Sequence, residues 1–193
     1  MMRLDEYCPA FSLRTTEGEH VFEPIQQTFK LIVFLPSPFS VSDTQDIMNI
    51  DENSDFFSKN NINILLISRS SVYANLGWIE AIQKVYGREI TTMIGEDPTA
   101  EVFKAYGVTN AKAAVIVDKQ ARCRWHFSLD RRLTFNIEEI KRAILALIQV
   151  SGSSSKTPEG WGPGDKTIKD IPLNRKSVLR NQKWFYDLSS ENK

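Results

Sequence analysis

Few side chains in this 193-residue chain are equipped for chemistry, so they can be taken one by one. It holds two cysteines, Cys8 and Cys123, and two histidines, His20 and His126. The two thiols could form a displaced redox pair, yet free cysteines mostly serve as small buried hydrophobes, and both are expected to do so. Cys123-Arg-Trp-His126 has the composition of a metal pair. On a regular strand, residues three apart point to opposite faces, so no metal site is expected. The stretch Pro36-Ser-Pro-Phe-Ser40-Val-Ser-Asp43 leads into a helix, where an Asp is a favoured N-terminal residue that caps backbone N–H groups. Ser42 beside it is a poor nucleophile without a positioned base. A run of bases, Lys166, Lys169, Arg175, Lys176, Arg180 and Lys183, lies near aromatics as in some RNA-binding segments. Asp165, Asp170, Asp187 and Glu191 dilute it, so a solvated tail is expected instead.

The elements that would position these residues follow from composition and pattern. Hydrophobic residues make up 41% and charged residues 25% of the chain, as in ordinary globular proteins. Lys plus Arg and Asp plus Glu both number 24, and this zero net charge argues against a dedicated nucleic-acid binder or a polybasic membrane anchor. No run is long enough to span a bilayer, and Asp5 and Glu6 sit where a signal peptide would be apolar. Two cysteines cannot make a disulfide framework, so a cytoplasmic or equivalent reducing compartment is expected.

Short apolar runs alternate with helical periodicity, the mark of an α/β protein with a central sheet. Phe11–Thr15 and His20–Phe22 flank a turn at Glu17-Gly18, as in a hairpin. Leu31–Leu35, Ile62–Ser68 and Ala113–Asp118 read as buried strands, and Ala121–Leu129 as a strand returning antiparallel after Lys119-Gln120. A helix should carry Ile47, Ile50 and Phe57, and another should run from Val72 to about Tyr86 with Gly87 beyond it. Asp97-Pro98 reads as a cap and first helical position, with that helix ending near Gly107. Asn136 and Glu139 resemble a capping box ahead of a helix lined by Ile137, Ile140, Ile144, Leu147 and Ile148. Expected boundaries are a domain over 1–150, a Ser/Gly linker over 151–155 and an arm over 156–193. Trp161, Trp184 and Phe185 in that arm are interface candidates, because apolar aromatics in an irregular tail tend to dock.

Several segments resemble the peroxiredoxin branch of the thioredoxin fold (the AhpC/TSA family). Cys8-Pro-Ala-Phe-Ser-Leu with Glu17-Gly is similar to its opening. Ser70-Ser-Val with Leu76 and Trp78, and Ala113–Asp118 followed by Arg124-Trp-His, are similar to later segments. Thr157-Pro-Glu-Gly-Trp-Gly-Pro-Gly-Asp resembles the C-terminal arm of two-cysteine members. The resemblance covers roughly residues 4 to 170. It implies a thioredoxin-like fold: a central mixed sheet flanked by helices, with a C-terminal arm.

The resemblance also implies where the family's chemistry would sit. A P-x-x-x-T-x-x-C motif places a thiolate at a helix N-terminus, where the dipole and free amides lower its pKa. Pro36 matches the proline, Ser40 stands for the threonine, and Asp43 occupies the position of the peroxidatic cysteine. Lys112 stands for a supporting arginine, keeping charge without the bidentate fork. A second arginine falls near Phe135, with Arg131 and Arg132 close by, and Thr157 occupies the resolving-cysteine position. No catalytic residue and no cofactor are therefore expected. The expected role is a catalytically degenerate protein acting through assembly, as a structural, scaffold or holdase-type component. It would be a homodimer or higher oligomer, and a possible part of a larger complex, with no nucleic-acid partner. The alternative is a thiol peroxidase using Cys8 or Cys123, and a third reading is a small-ligand binder around Pro36, Ser40, Asp43 and Lys112. Asp43 either caps its helix or mimics the sulfinate of an overoxidised cysteine. A close Asp43–Lys112 pair would be expected to lower the carboxylate's pKa.

Overall fold

The structure is a computed structural model and describes residues 2–23, 27–169, 175–180 and 188–189. Contacts divide the chain into two units, Met1–Phe135 and Asn136–Lys193.

The first unit opens with the expected hairpin, β1 (Phe11–Thr15) and β2 (Gly18–Phe22). The Thr15 hydroxyl donates to the Gly18 carbonyl at 2.7 Å, and Gly18 takes φ +106°, which only glycine adopts readily. Next come β3 (Phe29–Leu35), α1 (Val41–Glu52), α2 (Ser54–Lys59), β4 (Ile62–Ser68) and α3 (Val72–Tyr86). They are followed by β5 (Ile94–Glu96), α4 (Glu101–Ala105), β6 (Lys112–Val117) and β7 (Cys123–Leu129). The strands form one mixed sheet in the order β2-β1-β5-β4-β3-β6-β7. Central β3 runs parallel to β4 and antiparallel to β6, and is buried along its whole length. A strand covered on both faces needs a continuous apolar run, and Leu31–Leu35 supplies it. One face of the sheet packs Ile32, Phe34, Val115 and Val117 with Phe103, Tyr106, Cys8 and Cys123.

Local departures have local causes. The helix expected to reach Phe57 breaks at Asn53, whose amide side chain donates to the Asn49 carbonyl while its backbone N–H bonds to Ile50. Asp97-Pro98 forms a turn, and α4 begins later, at Glu101, because Ala100 takes φ +58°. Asp97 still acts as an acceptor there, taking N–H bonds from Glu101 and Phe103 at 2.9 and 2.8 Å. That helix ends at Ala105. Ala121 takes φ +62°, so β7 starts at Cys123 and not at Ala121. The helix ending at Gly87 is as expected: Gly87 has φ +65° and donates to Gln83.

In the second unit, α5 (Ile137–Ser151) is capped by Asn136, whose side chain accepts from the Glu138 N–H. The box is not closed, because Glu139 is engaged by Arg142 at 2.7 and 2.8 Å. Ile140, Ala143 and Ile144 line its buried face. Ser151 and Ser153 hydroxyls bond back to the carbonyls of Ile148 and Gln149. Beyond them β8 (Thr167–Ile168) pairs antiparallel with β9 (Leu188–Ser189), and α6 spans Arg175–Arg180. Among the described residues, no helix is long and apolar enough to cross a membrane.

Candidate functional site

Pro36, buried, ends β3, and the chain turns through Ser37-Pro38-Phe39 with the Ser40 N–H bonded to the Ser37 carbonyl. Phe39 sits at φ +62°, an uncommon region for an aromatic residue, and its ring stacks on Trp78 at 5.3 Å. Trp78 in turn donates its ring N–H to the Thr44 hydroxyl at 2.9 Å, tying α3 to α1. Ser40, in extended geometry, is the N-cap of α1, and its hydroxyl accepts from the Asp43 N–H at 3.2 Å. The cap role expected of the Asp43 side chain is thus taken by Ser40. The Asp43 carboxylate turns inward.

There it meets Lys112, which β6 projects into the same fully buried region. Asp43 Oδ2 accepts from the Ser37 N–H at 2.8 Å. Asp43 Oδ1 lies 2.9 Å from Lys112 Nζ, but off the hydrogen-bonding direction, so the contact is one of charge alone. The aligned bond from Lys112 goes to Asp46 Oδ2, while Asp46 Oδ1 accepts from the Phe135 N–H at 2.8 Å. The Phe135 ring lies 5.6 Å from Nζ. Two carboxylates therefore share one ammonium in a dry pocket.

Burial pushes the Asp43 carboxyl above the ordinary carboxylate range, against Lys112, the Ser37 amide and Arg131, which pull it down. Burial raises Asp46 too, and the Asp43 charge adds to it. The expected lowering by the ion pair is reversed because desolvating a carboxylate outweighs half of an ammonium. At the mouth, the Ser42 hydroxyl donates to the Arg131 carbonyl at 2.6 Å. A cleft of about 590 Å³ opens there, lined by Ser37, Ser40, Ser42, Gln45, Arg131 and Arg132.

The structure brings Pro36, Ser40, Asp43 and Lys112 together but sends the thiols elsewhere. Alternation along β6 puts Lys112, Ala114 and Ile116 on one face and Ala113, Val115 and Val117 on the other. Cys123 pairs with Val117 and packs with Cys8 on that second face, so both sulfurs lie across the sheet from Lys112. Cys8 N donates to the Ala121 carbonyl and Cys123 N to that of Glu6, a diagonal placement, and both thiols are free. Burial first, then the neighbouring Cys123 and Asp118, push the Cys8 thiol up to about 12. Burial pushes Cys123 up to about 11. Such thiols carry almost no thiolate at neutral pH.

The regular-strand argument applied to Cys123 and His126 fails at a β-bulge. Register shifts between Ile116 and Val117, so Cys123 faces Val117 and His126 faces Val115, placing both on one face. Cys123 Sγ contacts the Trp125 carbonyl at 3.8 Å.

In the second unit Thr157 is half-buried. Trp161 is buried within its own chain, with its ring N–H donated to the Asp165 carbonyl at 3.2 Å. Trp184 and Phe185 lie outside the described residues. Asp46 was not singled out from the sequence. Its signal was there: it stands one turn after Asp43, on the helix face that also carries the buried Ile47 and Ile50.

The model of the AhpC/TSA family matches residues 4–154. The chain is 24% identical over 193 residues to Peroxiredoxin 2 of Picrophilus torridus, covering 94% of this chain and 96% of that protein. It is 26% identical over 183 residues to a peroxiredoxin of Thermoplasma volcanium, covering 92% and 90%. The fold superposes on a yeast mitochondrial 1-Cys peroxiredoxin with a TM-score of 0.84 at 20% identity, covering 93% and 92% of the two chains. It superposes on the reduced 2-Cys peroxiredoxin of Plasmodium vivax with a TM-score of 0.82 at 22% identity, covering 88% and 94%. The mixed sheet is thus the thioredoxin-like sheet of peroxiredoxins, and the chain belongs to the AhpC/TSA family.

Proposed function

We propose that this chain is a catalytically degenerate member of its family that works through assembly or partner binding, in a scaffold or holdase-type role. One observation carries the reading: the position that the resemblance assigns to the peroxidatic cysteine holds Asp43, fully buried and engaged by Lys112. A carboxylate lacks the polarizable sulfur that attacks a peroxide oxygen, and this one is closed off from solvent. The Lys112 ammonium beside Asp43, which opposes the effect of burial, supports the idea that Asp43 keeps the site in the charge state of an overoxidised thiol. Assembly as a homodimer or larger oligomer, in a cytoplasmic or other reducing compartment, belongs to the same proposal. So do the boundaries 1–150, 151–155 and 156–193.

The rival reading is a thiol peroxidase using Cys8 or Cys123, favoured by the many peroxiredoxin relatives. Both are tested by assaying the full chain with hydrogen peroxide, an organic hydroperoxide and thiol reductants, beside Asp43→Cys. We expect an inert wild type of oligomeric mass by light scattering, and turnover in the variant. Peroxide consumption by the wild type that disappears in Cys8→Ala or Cys123→Ala would replace the proposal with the rival.

A further inference from the structure

A second cleft lies away from the α1 cluster and has no part in the reading above. It measures about 560 Å³, a size that suits a small organic molecule. Its walls combine apolar side chains, among them Phe22, Ile32, Phe57 and Met93, with two basic ones, Lys30 and His20.

Lys30 is the unusual member. It stands in the buried strand β3 with only 5% of its surface exposed. Its ammonium donates to the Glu23 carbonyl at 3.0 Å and lies 4.0 Å from the centre of the Phe22 ring. Those contacts leave donor capacity, since a lysine carries three N–H groups. No carboxylate among the described residues pairs with it, whereas Lys112, the other buried lysine, has two. A cation held out of water without an anion is costly, and it is the natural partner of an anion that arrives with a ligand. Burial accordingly lowers Lys30 to about 8, despite the opposing pull of Cys8 and Glu23. His20 is lowered as well, by burial and by the Lys30 charge, so the two bases converge on one space.

We propose that this cleft binds a small organic carboxylate, its acid group on Lys30 beside His20 and its apolar body against Phe22, Ile32, Phe57 and Met93. The neutral alcohol of the same length would make the apolar contacts alone. The cationic lining disfavours an amine.

The test is calorimetric titration of the full chain with octanoate and with octanol at neutral pH. The same titrations are run on Lys30→Met, whose fold is checked by circular dichroism and thermal midpoint. We expect octanoate to bind wild type at least tenfold more tightly than octanol does. In Lys30→Met that preference should vanish, leaving octanol unchanged. Equal affinities of the two ligands for wild type, or no octanoate binding, would overturn the proposal without needing the variant. Undiminished octanoate binding by a folded Lys30→Met would overturn it as well. None of these results bears on whether Asp43 has replaced a catalytic thiol, so the two readings fail separately.

Discussion

Lys112 is held by two carboxylates, and neither aspartate can leave the cluster without exposing the other groups' charge to an apolar interior. Removing one member of a buried ion group usually costs about 3–5 kcal/mol, because the remaining charge is left without a partner. Lys112→Met is therefore expected to lose stability of that order at neutral pH, read by urea denaturation. The pH dependence has a definite sign. Burial already raises both aspartates in the folded state, so each favours folding below its ordinary range, and that contribution fades as pH rises through the raised value. Without the ammonium the two values rise further. The deficit of Lys112→Met should accordingly shrink as pH falls through these raised values, above the ordinary carboxylate range, where the aspartates become neutral. A deficit that is flat from pH 4 to pH 7 would show that the cluster does not control the loss.

At the scale of elements, α4 depends on a residue outside it. Ala100 precedes the helix in a left-handed conformation and provides no side-chain cap, so the N–H groups of Glu101 and Phe103 rely on the Asp97 carboxylate. Asp97→Ala is expected to cost about 2 kcal/mol, within the range for lost caps and stranded buried donors. Thermal unfolding monitored by circular dichroism would check this, and an unchanged midpoint would refute it. The same element shows where pattern reading ran short. Asp97-Pro98 signalled a helix start correctly in kind, but the left-handed Ala100 has no composition signal, and it shifted the start to Glu101. β5 has three residues, too few for a period of two to register, whereas the seven-residue β3 was legible from its unbroken apolar run. The bulge in β7 escaped for a similar reason: nothing in Cys123-Arg-Trp-His126 marks one extra residue, yet it reverses which side chains share a face. At the site, Asp43 and Lys112 were legible through the family's spacing. Asp46 is legible only through the helix face it shares with Asp43, Ile47 and Ile50, since no family motif names it.

For the molecule as a whole, α1 is pinned at three places along its length. Asp43 and Asp46 hold its first turns to β6 and to the backbone of Phe135, while Asp51 near its end takes four bonds from Thr91 and Thr92 at 2.8–3.1 Å. These partners come from segments far apart in sequence, and Lys112, Phe135 and Thr92 are buried while Thr91 lies at the surface. A helix anchored in this way is not expected to fray alone, because opening it strands three acids together with their donors. Its amide protons should therefore exchange with solvent only when the unit Met1–Phe135 unfolds cooperatively. In native-state hydrogen exchange, the central amides of α1 should share one opening free energy with those of β3 and follow the same denaturant slope. Exchange of α1 at markedly lower free energy than β3 would mean that the anchors are weak. If the expected outcome holds, α1 acts as a rivet between the sheet and the segments around it, a rigidity that suits the building part proposed above.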